Sequence, residues 1–93
     1  MTIDVKLFAT LRMHLGVASV SIETAEPPTV TELIRKVSDT LGEDITEFLL
    51  ESDGTLQMGT MILLEGHNIR HLDGLETPVD VPQVAIFPPA GGG

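Results

Sequence analysis

Residues 27–42, PPTVTELIRKVSDTLG, carry the start, repeat and stop signals of one amphipathic helix. Thr29 and Glu32 have the spacing of a capping box, in which a hydroxyl and a carboxylate each bind a backbone N–H that the first turn leaves unpaired. Gly42 can end the helix in a left-handed conformation. The apolar residues between these signals form a single stripe: Val30, Leu33, Ile34, Val37 and Leu41. Such a stripe must be buried, so the rest of the chain has to supply an apolar surface.

Two strand patterns precede this helix. Residues 2–8, TIDVKLF, place Ile3, Val5 and Leu7 on one face and polar residues with Phe8 on the other. Residues 19–23, SVSIE, alternate in the same way. We therefore expect the two segments to form an antiparallel pair joined by a long turn.

Two further strand patterns follow the helix. Residues 60–66, TMILLEG, are apolar without alternation, which predicts a strand buried on both sides. Residues 83–87, QVAIF, alternate and predict the last strand, with Phe87 on the face opposite Val84 and Ile86. A short helical turn is expected soon after residue 42, and residues 67–82, HNIRHLDGLETPVDVP, are expected to be mostly turns with isolated apolar anchors.

The order of these elements predicts an α+β fold of the β-grasp type, with a mixed sheet of four to five strands packed on one main helix. A split βαβ arrangement is the other small α+β fold, but it requires a second helix of comparable quality. We expect residues 1–87 to form the domain and residues 88–93 to form a flexible glycine-rich tail.

Composition excludes several classes of function. The formal net charge is −9, so the surface repels nucleic acid and anionic lipid, and the longest apolar runs are too short for a membrane helix. The chain has no cysteine, which excludes a disulfide scaffold, a cysteine-based zinc site and a cysteine nucleophile. His67 and His71 lack a helical stripe and an evident third ligand, so no metal site is expected. Without a signal-peptide pattern, we expect a cytoplasmic protein.

The chain has three aromatic residues, all phenylalanine, and two of them share a position in the strand pattern. Phe8 and Phe87 each lie on the strand face that the helix does not cover. Because the first and last strands of a β-grasp sheet run side by side, the two rings can be neighbours. Clustered aromatics outside the core favour a partner-binding surface, and the alternative is a minor core under residues 65–82.

The last six residues, Pro88, Pro89, Ala90, Gly91, Gly92 and Gly93, follow directly on the last strand. The prolines are expected to stop the strand and project the chain stiffly away from the domain. A glycine end is slender enough to enter a narrow channel, and it offers only a terminal carboxylate for chemistry. Such a carboxylate needs activation by another protein. A frayed end or an expression remnant remains open from the residues alone.

Three segments resemble one known family: VKLFATLR, NIRHLDGLETPV and VAIFPPAGGG. Together they are similar to the MoaD/ThiS ubiquitin-like sulfur carriers, most of all to the molybdopterin synthase small subunit branch. The resemblance implies that a ubiquitin-activating-type adenylyltransferase uses ATP and Mg²⁺ to adenylate the terminal glycine. A sulfurtransferase or cysteine desulfurase then supplies sulfur to form a thiocarboxylate. The chain itself would bind no cofactor and would not be an enzyme on its own.

The resemblance also assigns residues. Gly93 would carry the acyl-adenylate and then the thiocarboxylate, and Gly92 would be its slender neighbour. Phe8, Phe87 and Ile69 match the family's hydrophobic partner-binding patch, and residues 88–91 would contact the partner along the tail. Three features depart from the family's pattern: VDVPQ replaces an Asp-Gly-Asp turn before the last strand, Gly91 replaces a more usual Ala, Ser or Thr, and Gly66 lies in LLEGHNI where a Val-Asn-Gly turn is common.

The leading functional hypothesis is therefore a sulfur carrier that inserts its tail into the large subunit of molybdopterin synthase, for molybdenum or tungsten cofactor assembly. A carrier for thiamine, cysteine or tRNA thiolation is the first alternative. A ubiquitin-like modifier joined to lysines of target proteins is the second. An interaction module with an inert tail is the third, and it predicts that residues 91–93 can be removed without consequence.

Overall fold

The computed structural model describes residues 1–89. Five strands form one mixed sheet in the order β2-β1-β5-β3-β4. Their bounds are β1 Thr2–Leu7, β2 Ser19–Glu23, β3 Met61–Leu64, β4 His67–Asn68 and β5 Gln83–Phe87. Strand β1 pairs with β5 in parallel, and the other neighbouring pairs are antiparallel. The predicted β-grasp arrangement is confirmed, with the first and last strands side by side at the centre of the sheet.

The main helix, α2 at Val30–Leu41, has the predicted capping box. The Thr29 backbone N–H donates to the Glu32 carboxylate over 2.8 Å, and the Glu32 N–H donates to the Thr29 hydroxyl over 3.1 Å. The first of these bonds is the main reason why the pKa of Glu32 lies below its usual value. Gly42 ends the helix in the left-handed conformation, with φ 71.

The apolar stripe of α2 packs on one face of the sheet and forms the core with it. Fully buried side chains come from the helix, the sheet and the connecting segments: Ile3, Val5, Leu7, Leu11, Ile22, Val30, Leu33, Ile34, Val37, Ile45, Leu49, Ile62, Leu64, Ile69, Val79, Val84 and Ile86. We call the side of the sheet that carries α2 the core face, and the other side the open face.

The connection between β1 and β2 differs from the long turn that we expected. It contains a seven-residue helix, α1 at Ala9–Leu15, which ends at Gly16 with φ 73. Leu11 is its single buried residue. Two turns with one buried anchor are too short to show a helical stripe in the sequence, so the hydrophobic pattern could not distinguish this helix from a loop.

The remaining connections contain tight turns and short helical turns. Helix α3 at Thr46–Leu49 is the expected helical turn. Glu65 and Gly66 join β3 to β4 with φ 48 and φ 85, the pair of positive values typical of a tight hairpin turn. Two 3₁₀ turns, Ile69–His71 and Gly74–Glu76, lie between β4 and β5. None of the helices within residues 1–89 is long and apolar enough to cross a membrane.

Candidate functional site

The parallel pairing of β1 with β5 brings Phe8 and Phe87 together. The register sets Leu7 opposite Ile86, and the Phe8 N–H donates to the Ile86 carbonyl over 3.2 Å. The two rings stack with their centroids 4.3 Å apart and their planes 10° from parallel. The adjacency predicted from the strand order is confirmed. Stacking of this kind adds about 1 kcal/mol to the burial of the rings themselves.

Both rings lie on the open face and are half-buried. Their strand neighbours Leu7 and Ile86 point the other way, because side chains along a strand alternate between faces, and both are buried in the core. Directly after Phe8 the chain turns at Ala9, which takes a left-handed conformation with φ 55. Phe8 is thus held between the end of a central strand and the start of α1.

The register of β3 extends the aromatic pair into a larger apolar surface. Met61 lies opposite Phe87, and Leu63 lies opposite Ala85, all on the open face and all half-buried. We call these five residues the apolar patch: Phe8, Met61, Leu63, Ala85 and Phe87. The prediction that β3 is buried on both sides is wrong, because only Ile62 and Leu64 reach the core. Its open side instead completes the patch.

The other end of the open face is polar. The Asp4 carboxylate accepts a hydrogen bond from the Ser21 hydroxyl over 2.8 Å and one from the Gln83 amide over 3.4 Å. Lys6, which is exposed, lies between this polar group and the apolar patch. The patch therefore occupies the end of the sheet where β5 finishes and the chain continues into residues 88–93.

Ile69 does not belong to this surface, and its predicted placement there is wrong. Its side chain is 0% exposed. Asn68 pairs with Leu63 and therefore shares the open face, so the next residue along the chain turns to the core face. The resemblance assigned Ile69 to the patch, but the face on which a residue beside a two-residue strand lies depends on the register of that strand, which the sequence did not show.

This placement has a measurable consequence. We expect Ile69→Ala to lower the free energy of unfolding by about 3 kcal/mol, since it removes a fully buried side chain and leaves a cavity. Urea unfolding monitored by circular dichroism measures the change. Leu72→Ala is the control, because Leu72 is 48% exposed and its truncation should cost under about 0.5 kcal/mol. Equal losses for the two variants would contradict the buried placement of Ile69.

The start of the tail also differs from the expectation. Pro88 is buried and Pro89 half-buried, so the chain does not project away from the domain at the first proline. Pro88 continues the alternation of Val84 and Ile86 toward the core, although it cannot extend the ladder as a donor. Its predicted role as a side chain that contacts a partner is therefore wrong for this structure. Ala90, Gly91, Gly92 and Gly93 lie outside the described residues.

Metal ligands are not grouped in the described part of the chain: residues 1–89 hold no cluster of three or more His, Cys, Asp or Glu side chains arranged to bind an ion. What the site offers a partner is an apolar surface beside the point where the chain leaves the last strand. Met61 and Leu63 are the patch residues that sequence reasoning missed. Met61 and Leu63 alternate with the buried Ile62 and Leu64, but all four residues are apolar, so the sequence does not show which of them face the core.

The family model described as the ThiS family matches residues 5–93. The chain belongs to this family. The match covers the aromatic pair and continues through the terminal glycines, so both features that we derived from the residues lie within the family's domain. This ThiS-family chain is a ubiquitin-like protein of the sulfur-carrier and modifier type.

Two relatives are similar to this chain in sequence. A protein of Archaeoglobus fulgidus, provisionally named a sulfur carrier protein, is 40% identical over 70 residues, which are 74% of this chain and 78% of the relative. Small archaeal modifier protein 3 of Haloferax volcanii is 30% identical over 94 aligned residues, which cover both chains completely. The relatives therefore bear names from both branches, carrier and modifier.

Solved structures agree on the fold. Small archaeal modifier protein 1 of Haloferax volcanii superposes with a TM-score of 0.79 at 22% identity, covering 100% of both chains. A chain of the Amycolatopsis orientalis BexX/CysO complex gives 0.74 at 27% identity, covering 98% of this chain and 99% of its own. A Pyrococcus furiosus protein, provisionally named molybdopterin converting factor subunit 1, gives 0.69 at 22% identity, covering 97% and 99%.

Proposed function

We propose that this protein is a sulfur carrier whose Gly93 carboxylate is adenylated and then converted to a thiocarboxylate. The observation that carries the proposal is the family match, which runs from the first central strand through Gly93. The structure adds a reason why these parts work together. The apolar patch lies at the end of β5, so a protein that binds the patch is placed beside the root of the tail.

The proposed chemistry needs two partner enzymes. In the first step, an oxygen of the Gly93 carboxylate attacks the α-phosphorus of ATP, and pyrophosphate leaves with Mg²⁺. In the second, the terminal sulfur of a persulfide on a sulfurtransferase or cysteine desulfurase attacks the acyl carbon, and AMP leaves. A second thiol then cleaves the sulfur–sulfur bond, which releases the thiocarboxylate and leaves a disulfide on the sulfur donor. ATP and Mg²⁺ are bound by the ubiquitin-activating-type adenylyltransferase. The carrier contributes recognition and a reacting terminus, so we assign catalysis to the partners.

Recognition of these partners is assigned to the apolar patch and to residues 89–92 of the tail. Stacked, half-buried aromatics lose little conformational entropy on binding, which suits them as anchors in an interface. The net charge of −9 favours partners with a basic rim around the apolar contact. A related chain in the BexX/CysO complex is bound to a partner protein, which supports the general mode of action.

For the sulfur acceptor we propose the molybdopterin precursor, with the large subunit of molybdopterin synthase as the receiving enzyme. The support is the resemblance of the segments VKLFATLR, NIRHLDGLETPV and VAIFPPAGGG to that branch. The likeness to the Pyrococcus furiosus structure supports the shared fold only. Thiamine, cysteine and tRNA thiolation use the same carrier chemistry and are the alternative acceptors.

The second candidate function is a protein modifier. It is favoured by the full-length alignment with small archaeal modifier protein 3. The first chemical step is the same. In the second, a lysine amine of the target protein, rather than sulfur, attacks the activated acyl carbon, and AMP leaves. An isopeptide bond forms, and no sulfur is transferred.

The two functions are separated by what happens to Gly93 in cells. We expect the chain to restore molybdenum-enzyme activity in a strain that lacks its molybdopterin synthase small subunit, when expressed with its own activating enzyme and large subunit. A variant that lacks Gly93 is the control and should restore nothing. Failure of the intact chain, together with a ladder of conjugates on an immunoblot, would contradict the molybdopterin assignment and support the modifier.

A further inference from the structure

The root of the tail lies against a loop formed by residues 57–60, which we call the 57–60 loop. A Cβ atom on Gly59 would lie 3.5 Å from the Pro89 Cα and 3.6 Å from the Pro89 Cβ, so a side chain at this position would be in van der Waals contact with Pro89. Gly59 has φ 92, a conformation that side-chain-bearing residues rarely adopt. The bare backbone of Gly59 thus forms one wall of the path by which the chain leaves the domain.

This wall is braced from the side of α3. The Gln57 N–H donates to the Leu49 carbonyl over 2.8 Å, and the Gln57 side-chain amide donates to the Leu50 carbonyl over 2.9 Å. The Thr60 hydroxyl, which is buried, donates to the Leu49 carbonyl over 3.2 Å. Both ends of the loop are therefore tied to the end of α3, which itself is anchored by the buried Leu49.

A second brace comes from Arg70, in the 3₁₀ turn after β4. Its Nη2 donates to the Gln57 carbonyl over 3.0 Å and to the Thr60 carbonyl over 3.3 Å. Charge-assisted bonds of this kind are stronger than those between neutral groups. The guanidinium thus joins the two ends of the loop across Gly59. Arg70 is exposed, so its side chain is not part of the core packing.

The loop is also continuous with the apolar patch. Thr60 is followed directly by Met61, which lies opposite Phe87 in the sheet. A partner that binds the patch is therefore adjacent to the 57–60 loop and to Pro89. The buried Pro88 fixes one side of the chain at this point, and the Gly59 backbone faces the next residue.

We propose that the 57–60 loop, braced by Arg70, is a guide that sets the direction in which residues 90–93 leave the domain. Gly59 and Arg70 are then positioning residues for the activation of Gly93, and the second part of this inference rests on the proposed carrier function. Four residues span at most about 14 Å, so the position of Pro89 and the direction of the chain there limit the points that Gly93 can reach. A displacement of about 1 Å at a reacting group can already cost about 100-fold in rate.

The first test compares two glycines with the same backbone conformation. Gly54 has φ 89 and Gly59 has φ 92, but a Cβ on Gly54 meets nothing within 4 Å. Leucine at either position meets the same backbone strain, and only at Gly59 does its Cβ already contact Pro89, so only there do we expect the rest of the side chain to displace the root of the tail. We expect Gly59→Leu to lower the kcat of adenylation about tenfold with an unchanged KM, and Gly54→Leu to change neither. Equal kcat values for the two variants would overturn the proposal.

The second test removes the Arg70 side chain and measures the proximity of the 57–60 loop to Pro89 directly. We expect Arg70→Ala to weaken the nuclear Overhauser contact between the α protons of Gly59 and Pro89, and to lower the kcat of adenylation. Lys36→Ala on α2 is the control, since it also removes one positive charge but lies beside β2, at the edge of the sheet away from β3 and the loop. An unchanged contact in Arg70→Ala would overturn the role of the brace. The contact is measured on the free protein, so the guide can be judged even if Gly93 is never adenylated.

Discussion

We expect removal of Gly93 to lower the rate of adenylation by more than about 100-fold, because the chain would then end about 3.5 Å short of the position where the carboxylate is proposed to react. The variant still binds the activating enzyme, since its apolar patch is unchanged. ATP–pyrophosphate exchange measures the first effect, and calorimetric titration with the enzyme measures the second. A carrier of this kind separates recognition from reaction, and the deletion should affect only the reaction.

Removing Ala90 is a useful companion to this deletion. It shortens the tail by the same length but keeps all three glycines. If reach limits the reaction, the two deletions have comparable effects. Adenylation at the normal rate in the Gly93 deletion would contradict the assignment of Gly93 as the reacting residue. It would favour an interaction module whose tail has no chemical role.

We expect replacement of Phe87 with aspartate to weaken the binding of the proposed activating enzyme by about 100-fold, and replacement with alanine to weaken it by about tenfold. Phe87 lies at the centre of the patch, stacked on Phe8 and opposite Met61. A carboxylate there must lose its hydration when a partner covers the patch, which costs more than the loss of the ring alone. Titration calorimetry of the three proteins gives the comparison.

The matched control for this effect is Thr40→Asp. Thr40 is exposed near the end of α2, on the opposite side of the sheet, so the substitution adds the same charge away from the patch. We expect its affinity for the activating enzyme to stay within about threefold of the original. An equal loss of affinity in both aspartate variants would indicate a general charge effect and contradict the patch. Unfolding midpoints, measured alongside, show whether Phe87→Asp remains folded.

The elements that the sequence predicted best are those defined by local signals. The ends of α2 follow from the Thr29–Glu32 box and Gly42, and these contacts are local in the chain. The Phe8–Phe87 pair is distant in the chain, but it could be predicted because β-grasp topology places the first and last strands together. Once the strand order was correct, simple alternation placed both rings on the open face.

The elements that sequence reasoning missed depend on register or on packing between distant segments. The facing of Ile69 is set by the pairing of Asn68 with Leu63, and a shift of one residue would reverse it. The burial of Pro88 requires the alternation of β5 to continue beyond its last hydrogen bond. The approach of Pro89 to Gly59 brings together two segments that are distant in the chain, and no periodic pattern in the sequence predicts it. The burial of Pro88 and the approach of Pro89 to Gly59 also define the place where the tail leaves the domain.

The most direct measurement of the carrier function is the intact mass of the protein after incubation with its own activating enzyme, ATP, Mg²⁺ and a sulfur source. The proposed function predicts a mass increase equal to the exchange of one oxygen for sulfur, located by fragmentation at Gly93 and absent when ATP is omitted. An unchanged mass, under conditions in which the enzyme forms AMP, would contradict the conversion of Gly93 to a thiocarboxylate.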